Sequence, residues 1–195
     1  MSEDNNKKNE KEENVFPFIK GENLDLVPSH PDWNELYCKW SNDPEVRVFA
    51  RNVMPNTIED TKKWLKPREE KGAPDHIVMT IWHKQNKKPI GVIGLGDINW
   101  FNRWANAFIQ IGDKDYWKKG IATEATEMLL KYAFEEVNLN KVSGGVIVEN
   151  IGSWKVAEKV GFKFEATLKN EFYVNGKYHD VKRYCYLRED WFKAQ

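Results

Sequence analysis

The stretch YWKKGIATEA, Tyr116 to Ala125, decides the fold. It lies between a strand-like run, Ala107 to Ile111, and a long amphipathic stripe. That stripe is Ile121, Ala125, Met128, Leu129, Tyr132 and Ala133, at the spacing of one helical face. A glycine, Gly120, sits at the turn, and Thr123 and Glu124 open the helix. Consecutive backbone N–H groups at a helix start form an anion site, and the helix dipole adds to it. Gly120 and Ala122 keep bulk away from a close-lying ligand, and Lys118 and Lys119 add positive charge. Together these suit a pyrophosphate. A turn glycine flanked by solvated lysines is the plainer reading. The segment is not a Walker loop, because the Gly-Lys-Ser/Thr ending and its four-residue spacer are absent. Gly94 and Gly96 begin a dinucleotide fingerprint, but Asn99 stands where its third glycine belongs.

Working outward, Val142 to Val148 reads as a strand. With Ala107 to Ile111 and the long helix it makes a right-handed βαβ crossover. Ser153 is placed to cap a shorter helix ending at Gly161. Phe162 to Leu168 and Gly176 to Leu187 flank Asn175-Gly176, a hairpin turn signal. Toward the N-terminus, His76 to His83 and Pro89 to Ile98 form a second hairpin around Lys84 to Lys88. Thr57 caps a helix carrying Trp64 and Leu65. Trp33, Leu36, Tyr37 and Trp40 mark another helix, which Asn42-Asp43-Pro44 breaks. Asn23 to Val27 alternates like a half-buried strand. The order is strand, two helices, three strands, helix, strand, helix, two strands, a mixed α+β domain.

With 41% hydrophobic and 31% charged residues, the 195-residue chain is globular. Residues 15–195 read as one domain, and the polar, aromatic-free residues 1–14 as a solvated tail. Thirty basic residues balance thirty acidic ones, so no bulk positive field favours nucleic acid or a membrane surface. No apolar run reaches transmembrane length and the start lacks a signal-peptide core, so a cytoplasmic location is expected. Cys38 and Cys185 read as reduced packing residues. His30, His76, His83 and His179 show no metal spacing, so no metal is expected. Trp33, Trp40 and Trp64 fit core stripes. Trp100 and Trp104 flank a polar turn and either pack at an edge or line a cleft.

Here the chain resembles a family. Trp117 to Ala125 is similar to the pyrophosphate motif of the GNAT acetyltransferases, in the branch of ribosomal-protein N-terminal (RimJ/RimL-type) and spermidine acetyltransferases. Lys118 departs from a usual glycine. The likeness extends to Trp40-Ser41-Asn42-Asp43-Pro44-Glu45-Val46, to Tyr132-Ala133-Phe134 and Leu139-Asn140-Lys141-Val142, and to Asn150, Ser153, Glu158, Lys159, Gly161 and Phe162. It closes on Asn175-Gly176-Lys177-Tyr178 and Asp180. It implies the GNAT (acyl-CoA N-acyltransferase) fold, an α+β arrangement with a mixed, mostly antiparallel sheet of about seven strands and about four flanking helices.

The resemblance also implies acetyl transfer from acetyl-CoA to a primary amine, by direct attack of the neutral amine on the thioester. In similar enzymes two strands splay and pantetheine lies between them. That places the backbone of Gln110, Ile111 and Gly112 against pantetheine. It places the N–H groups of Lys118, Lys119, Gly120, Ile121, Ala122 and Thr123 on the pyrophosphate, and the Asn150 side chain on the pantetheine arm. An N–H near Ile111 would face the oxyanion. Ser153 is the candidate proton donor, and a plain helix cap is its other reading. The base is less defined. Many relatives carry a glutamate where Asn106 stands, and spermidine-type relatives a tyrosine where Ala157 stands. Asp97 remains as a base acting through water, against a turn-capping role. These losses favour an acceptor of low pKa, a protein N-terminus or an amino sugar. The closing segment Asn175 to Leu187 favours a polyamine. They also leave open a non-catalytic acyl-CoA-binding module. A homodimer is left open too.

Overall fold

The computed structural model describes residues 15–50, 54–66, 69–70 and 72–195, so the expected tail, residues 1–14, lies outside the described residues. An eight-stranded sheet carries the architecture. Its strands are β1 (Ile19–Lys20), β2 (Leu24–Pro28), β5 (Ile77–His83), β6 (Lys88–Asn99), β7 (Trp104–Ile111), β8 (Lys141–Ile147), β9 (Lys163–Val174) and β10 (Lys177–Leu187). A separate ribbon pairs β3 (Glu69–Glu70) with β4 (Ala73–Pro74). The spatial order of the main sheet is β1-β2-β5-β6-β7-β8-β10-β9. Every neighbouring pair is antiparallel except β7 and β8. The expected crossover therefore exists, with α4 (Ile121–Lys131) bridging the one parallel pair.

The remaining helices are α1 (Asn34–Asn42), α2 (Pro44–Ala50), α3 (Ile58–Leu65), α5 (Ile151–Lys159) and α6 (Arg188–Lys193). The described residues thus hold one main strand and two helices more than expected from the sequence. The extra strand is the two-residue edge β1. Helix α2 was hidden by reading Asn42-Asp43-Pro44 only as a stop. Asp43 Oδ1 accepts the N–H groups of Glu45 and Val46, at 2.9 and 3.3 Å. Pro44 takes the first helical position, where its missing N–H costs nothing. The dipeptide therefore ends one helix and starts the next.

Each face of the sheet has its own core. On one face α4 and α5 cover Leu24, Leu26, Ile81, Ile93, Leu95 and Val142, all with 0% exposure. Burying one such side chain stabilises by roughly 1.5–3 kcal/mol. On the other face Tyr37 and Trp40 of α1 pack against Val92. Alternation along β7 follows from this. Ala105, Ala107, Ile109 and Ile111 join the first core. Asn106, Phe108 and Gln110 take the opposite side, toward α1 and α3.

Trp33 is half-buried and stacks on Trp82, and Trp40 is buried, as expected. Trp64 is 44% exposed, with its ring 5.8 Å from that of Phe108, so it lies at a rim and not in a core. Cys38 and Cys185 are both free. The closing hairpin turns at Asn175 and Gly176, with φ of 49° and 83°, the left-handed pair such a turn requires. Its first strand runs on to Val174, six residues beyond the expected Leu168.

Candidate active site at a strand fork

The strands β7 and β8 pair only at Trp104 with Lys141, Ala105 with Val142 and Asn106 with Ser143. Beyond Asn106 they part. β7 stays on β6 through Ile111, while β8 stays on β10 through Ile147. Both strands therefore present inner edges to a fork. Gly144 lines the β8 wall, where a Cβ would stand 3.9 Å from the Ala107 carbonyl oxygen. Its lack of a side chain leaves the mouth of the fork open.

The β7 edge is narrower than the sequence implied. The Gly112 N–H donates to the Ile90 carbonyl at 3.0 Å, away from the fork. Antiparallel alternation turns the Gln110 N–H the same way, toward Val92. Of Gln110, Ile111 and Gly112, only Ile111 turns its backbone into the fork. Ile109, which the sequence reading missed, joins it by the same alternation. The Ile111 carbonyl already accepts the Trp117 indole N–H at 2.8 Å. That bond ties the end of β7 to the loop below it.

The loop runs from a short turn, Lys114–Tyr116, to the start of α4. Asp113 caps that turn through the Asp115 N–H and accepts Lys88 Nζ at 2.8 Å. Lys88 and Lys119 both lie over the Tyr116 ring, 5.1 and 5.5 Å from its centre. Gly120 adopts φ of 80° and is the N-cap of α4. Its carbonyl accepts the N–H groups of Thr123 and Glu124, at 3.0 and 3.2 Å. Thr123 is thus committed to the helix. The N–H groups of Lys118, Lys119, Gly120, Ile121 and Ala122 meet no backbone carbonyl among the described residues. Five donors and two exposed lysines fit a pyrophosphate. A Cβ at Gly120 would meet nothing within 4 Å, so its left-handed backbone is what demands glycine. Lys118 also has positive φ, 61°, where relatives usually place glycine.

Glu124 fixes the helix start from behind. Its carboxylate accepts the Asn23 and Leu24 N–H groups at 2.8 and 3.2 Å, and Asn23 Nδ2 at 3.1 Å. Opposite the loop, Asn150 ends the β8 arm and caps α5. Its Oδ1 accepts the Ser153 N–H at 3.3 Å. Ser153 is therefore not the cap, as its sequence position implied. It lies in the first turn of α5, half-buried. The Asn150 NH2 group has no hydrogen-bond partner among the described residues.

The opposite face holds the remaining candidates. Asp97 sits at a bulge where β6 loses register with β7, and its φ is 51°. Its Oδ2 accepts Asn106 Nδ2 at 2.9 Å. Asp97 and Asn106, nine positions apart in sequence, meet at the point where the strands divide. Trp100 donates its indole N–H to the Pro74 carbonyl at 2.7 Å, the edge-packing reading. Nearby, His76 Nδ1 is 2.6 Å from Asp75 Oδ1. Among the described residues no group of three His, Cys, Asp or Glu side chains could hold a metal ion. Nor is any helix there long and apolar enough to cross a membrane.

Residues 23–163 match the family model described as Acetyltransferase (GNAT) domain. The chain belongs to the GNAT acetyltransferase family. It is an acetyl-CoA-dependent N-acetyltransferase by that membership. The GNAT chain is 37% identical over 138 residues to the probable N-acetyltransferase YjcK of Bacillus subtilis, covering 69% of this chain and 75% of that one. It is 39% identical over 101 residues to the putative ribosomal N-acetyltransferase YdaF of the same organism. That match covers 52% of this chain and only 55% of YdaF. A solved structure of spermidine N-acetyltransferase from Vibrio cholerae, in complex with CoA and spermine, superposes with a TM-score of 0.78. It shares 25% identity and covers 87% of this chain and 98% of that one.

Proposed function

We propose that this GNAT enzyme acetylates a primary amine of a flexible alkyl polyamine. The observation that carries this reading is the Asp97 carboxylate, held 2.9 Å from Asn106 at the fork. Asn106 in place of a carboxylate and Ala157 in place of a tyrosine both favour a low-pKa acceptor. A carboxylate is nonetheless there, supplied by the neighbouring strand. An alkylammonium has a pKa near roughly 10.4 and is almost wholly charged at neutral pH. A carboxylate at the fork attracts that cation and is a candidate to receive a proton from it through water.

The roles follow from placement. N–H groups of residues 118–122 hold the pyrophosphate, Ile109 and Ile111 pair with pantetheine, and Asn150 Nδ2 donates to the arm. The amine nitrogen attacks the thioester carbon, forming the C–N bond. The oxyanion is stabilised by an N–H of the β7 edge. Collapse breaks the C–S bond, and the departing thiolate takes a proton from its candidate donor, the Ser153 hydroxyl, which is restored by the proton that the nitrogen loses. The net products are the acetamide and free CoA thiol. The YdaF likeness keeps a protein N-terminus as the second reading. Rates with spermidine, an Ala-starting peptide and an amino sugar, measured from pH 6.5 to 9.5, separate them. Spermidine turnover above the other two at pH 7.4 supports the polyamine reading, and a peptide rate above spermidine overturns it. Acetyl-CoA binding without turnover of any amine would mark a non-catalytic binding module.

A further inference from the structure

The Asn106 side chain has one end used and one end idle. A carboxylate oxygen only accepts hydrogen bonds, so the end facing Asp97 is the NH2 group. The carbonyl Oδ1 then points the other way. It is buried and has no hydrogen-bond partner. A buried carbonyl without a donor is costly, and native structures rarely tolerate one without a reason. Asp97 stands inside a bulge at φ of 51°, in the left-handed region that aspartate enters more readily than most residues. The bulge brings the carboxylate to Asn106, and the carboxylate fixes which way the amide faces.

The place of this idle oxygen matters. Asn106 is the last β7 residue paired with β8, opposite Ser143. The fork opens at the next residue. Asn106 shares its face with Phe108, whose ring lies against Trp64. Opposite Asn106 on β6 stands Gly96, where a Cβ would meet nothing closer than 3.8 Å. The unpartnered Oδ1 thus lies, covered, at the branching point, on the α1 and α3 side of the sheet.

We infer that Asn106 orients the attacking amine, with its Oδ1 accepting one N–H of the acceptor nitrogen while Asp97 holds the amide in that orientation. The inference rests on the acetyl-transfer reading of the fork but not on which amine is the substrate. Asn106 takes no proton. One N–H is held by Oδ1, and the lone pair is left facing the thioester carbon. The proton lost from nitrogen after attack ends on the thiolate sulfur. Asn106 is the amine-orienting residue, and Asp97, besides attracting the ammonium, positions the Asn106 amide.

The test compares wild type, Asn106→Ala and Asn106→Asp with spermidine, propylamine and an Ala-starting peptide. Acetyl-CoA affinity is followed by calorimetry. Asn106→Ala is expected to lower kcat/KM for the amine at least tenfold with acetyl-CoA affinity unchanged. Asn106→Asp keeps an acceptor oxygen but places two carboxylates side by side. It is expected to recover part of the loss at high pH and to add an ionisation to the pH profile that wild type lacks. The inference is overturned if Asn106→Ala keeps amine kcat/KM within twofold, or if acetyl-CoA affinity falls in parallel. It is also overturned if the Asp variant matches Ala at every pH. Turnover of propylamine or peptide without spermidine overturns the polyamine reading alone, since the Asn106 comparison then proceeds on those amines. No turnover of any of the three by wild type overturns both.

Discussion

Tyr37 is 3% exposed and shares a hydrogen bond with Thr80, itself 0% exposed. Burial is the main cause that pushes the Tyr37 phenol up to about 12, with hydrogen bonds from Thr80 and others opposing it. The unfolded phenol ionises near 10. Between these values the native state holds a proton that the unfolded chain has lost. Stability from this residue is therefore whole below pH 10 and is lost as pH climbs toward 12. The difference between about 12 and the unfolded value near 10 corresponds to about 2–3 kcal/mol. Unfolding in urea at pH 9 and pH 11 should show this alkaline loss, and Tyr37→Phe should show less of it. The same variant strands the Thr80 hydroxyl, so at pH 7 it should cost about 1–3 kcal/mol. Gly120 is a residue-scale constraint of another kind. At φ of 80° a β-branched side chain is strained by about 1–3 kcal/mol. Gly120→Val should therefore weaken acetyl-CoA binding by reshaping the donor loop, with the β-sheet circular dichroism retained. Calorimetry showing wild-type affinity would remove this loop from the cofactor site.

Two helix starts behave differently at the element scale. For α5 the cap is Asn150, and Asn150→Ala should destabilise by about 1 kcal/mol, read by urea midpoint. Ser153→Ala removes no capping bond, so its stability should stay within about 0.5 kcal/mol of wild type. A fall in kcat for Ser153→Ala at unchanged stability is the expected mark of a proton donor. For α4 the anchor is Glu124, whose carboxylate takes the N–H groups of Asn23 and the fully buried Leu24. Glu124→Ala leaves the part-buried Leu24 N–H without its partner and should cost about 1–3 kcal/mol. It should also raise the acetyl-CoA dissociation constant, since the donor loop heads the same helix. These roles mark the limit of what sequence conveys. The 3.6-residue stripe of α4 and the Asn175-Gly176 turn are local patterns, and both were legible. The Asn150 cap was not, because Ser153 is an equally good capping type three residues away. The Glu124 contact was not, because its partners lie a hundred residues upstream. Helix α2 was missed because Asp43-Pro44 serves both as a stop and as a start.

At the scale of the molecule, the fork is a sheet left incomplete. A parallel pair that ends after three residues leaves the inner edges of β7 and β8 open between otherwise paired strands. Backbone groups there face no neighbouring strand, and sequence could place them only through family likeness. It could not show that Gln110 and Gly112 turn away, because one register step reverses every N–H along a strand. Nor could it show the Asp97–Asn106 contact, which depends on a bulge. A ligand that bridges the fork joins the two halves of the sheet, and it binds only the folded chain. At a concentration of 100 times its dissociation constant, such a ligand stabilises by about 2.7 kcal/mol. For a chain of this size that corresponds to a rise in Tm of about 5–10 °C. Acetyl-CoA should produce this rise. Adenosine 3′,5′-bisphosphate, which carries no pantetheine and no pyrophosphate, should produce little at the same concentration. Pantetheine alone should bind weakly, because the donors of residues 118–122 go unused. A shift of equal size with the bisphosphate would place the main binding energy outside the fork and the loop.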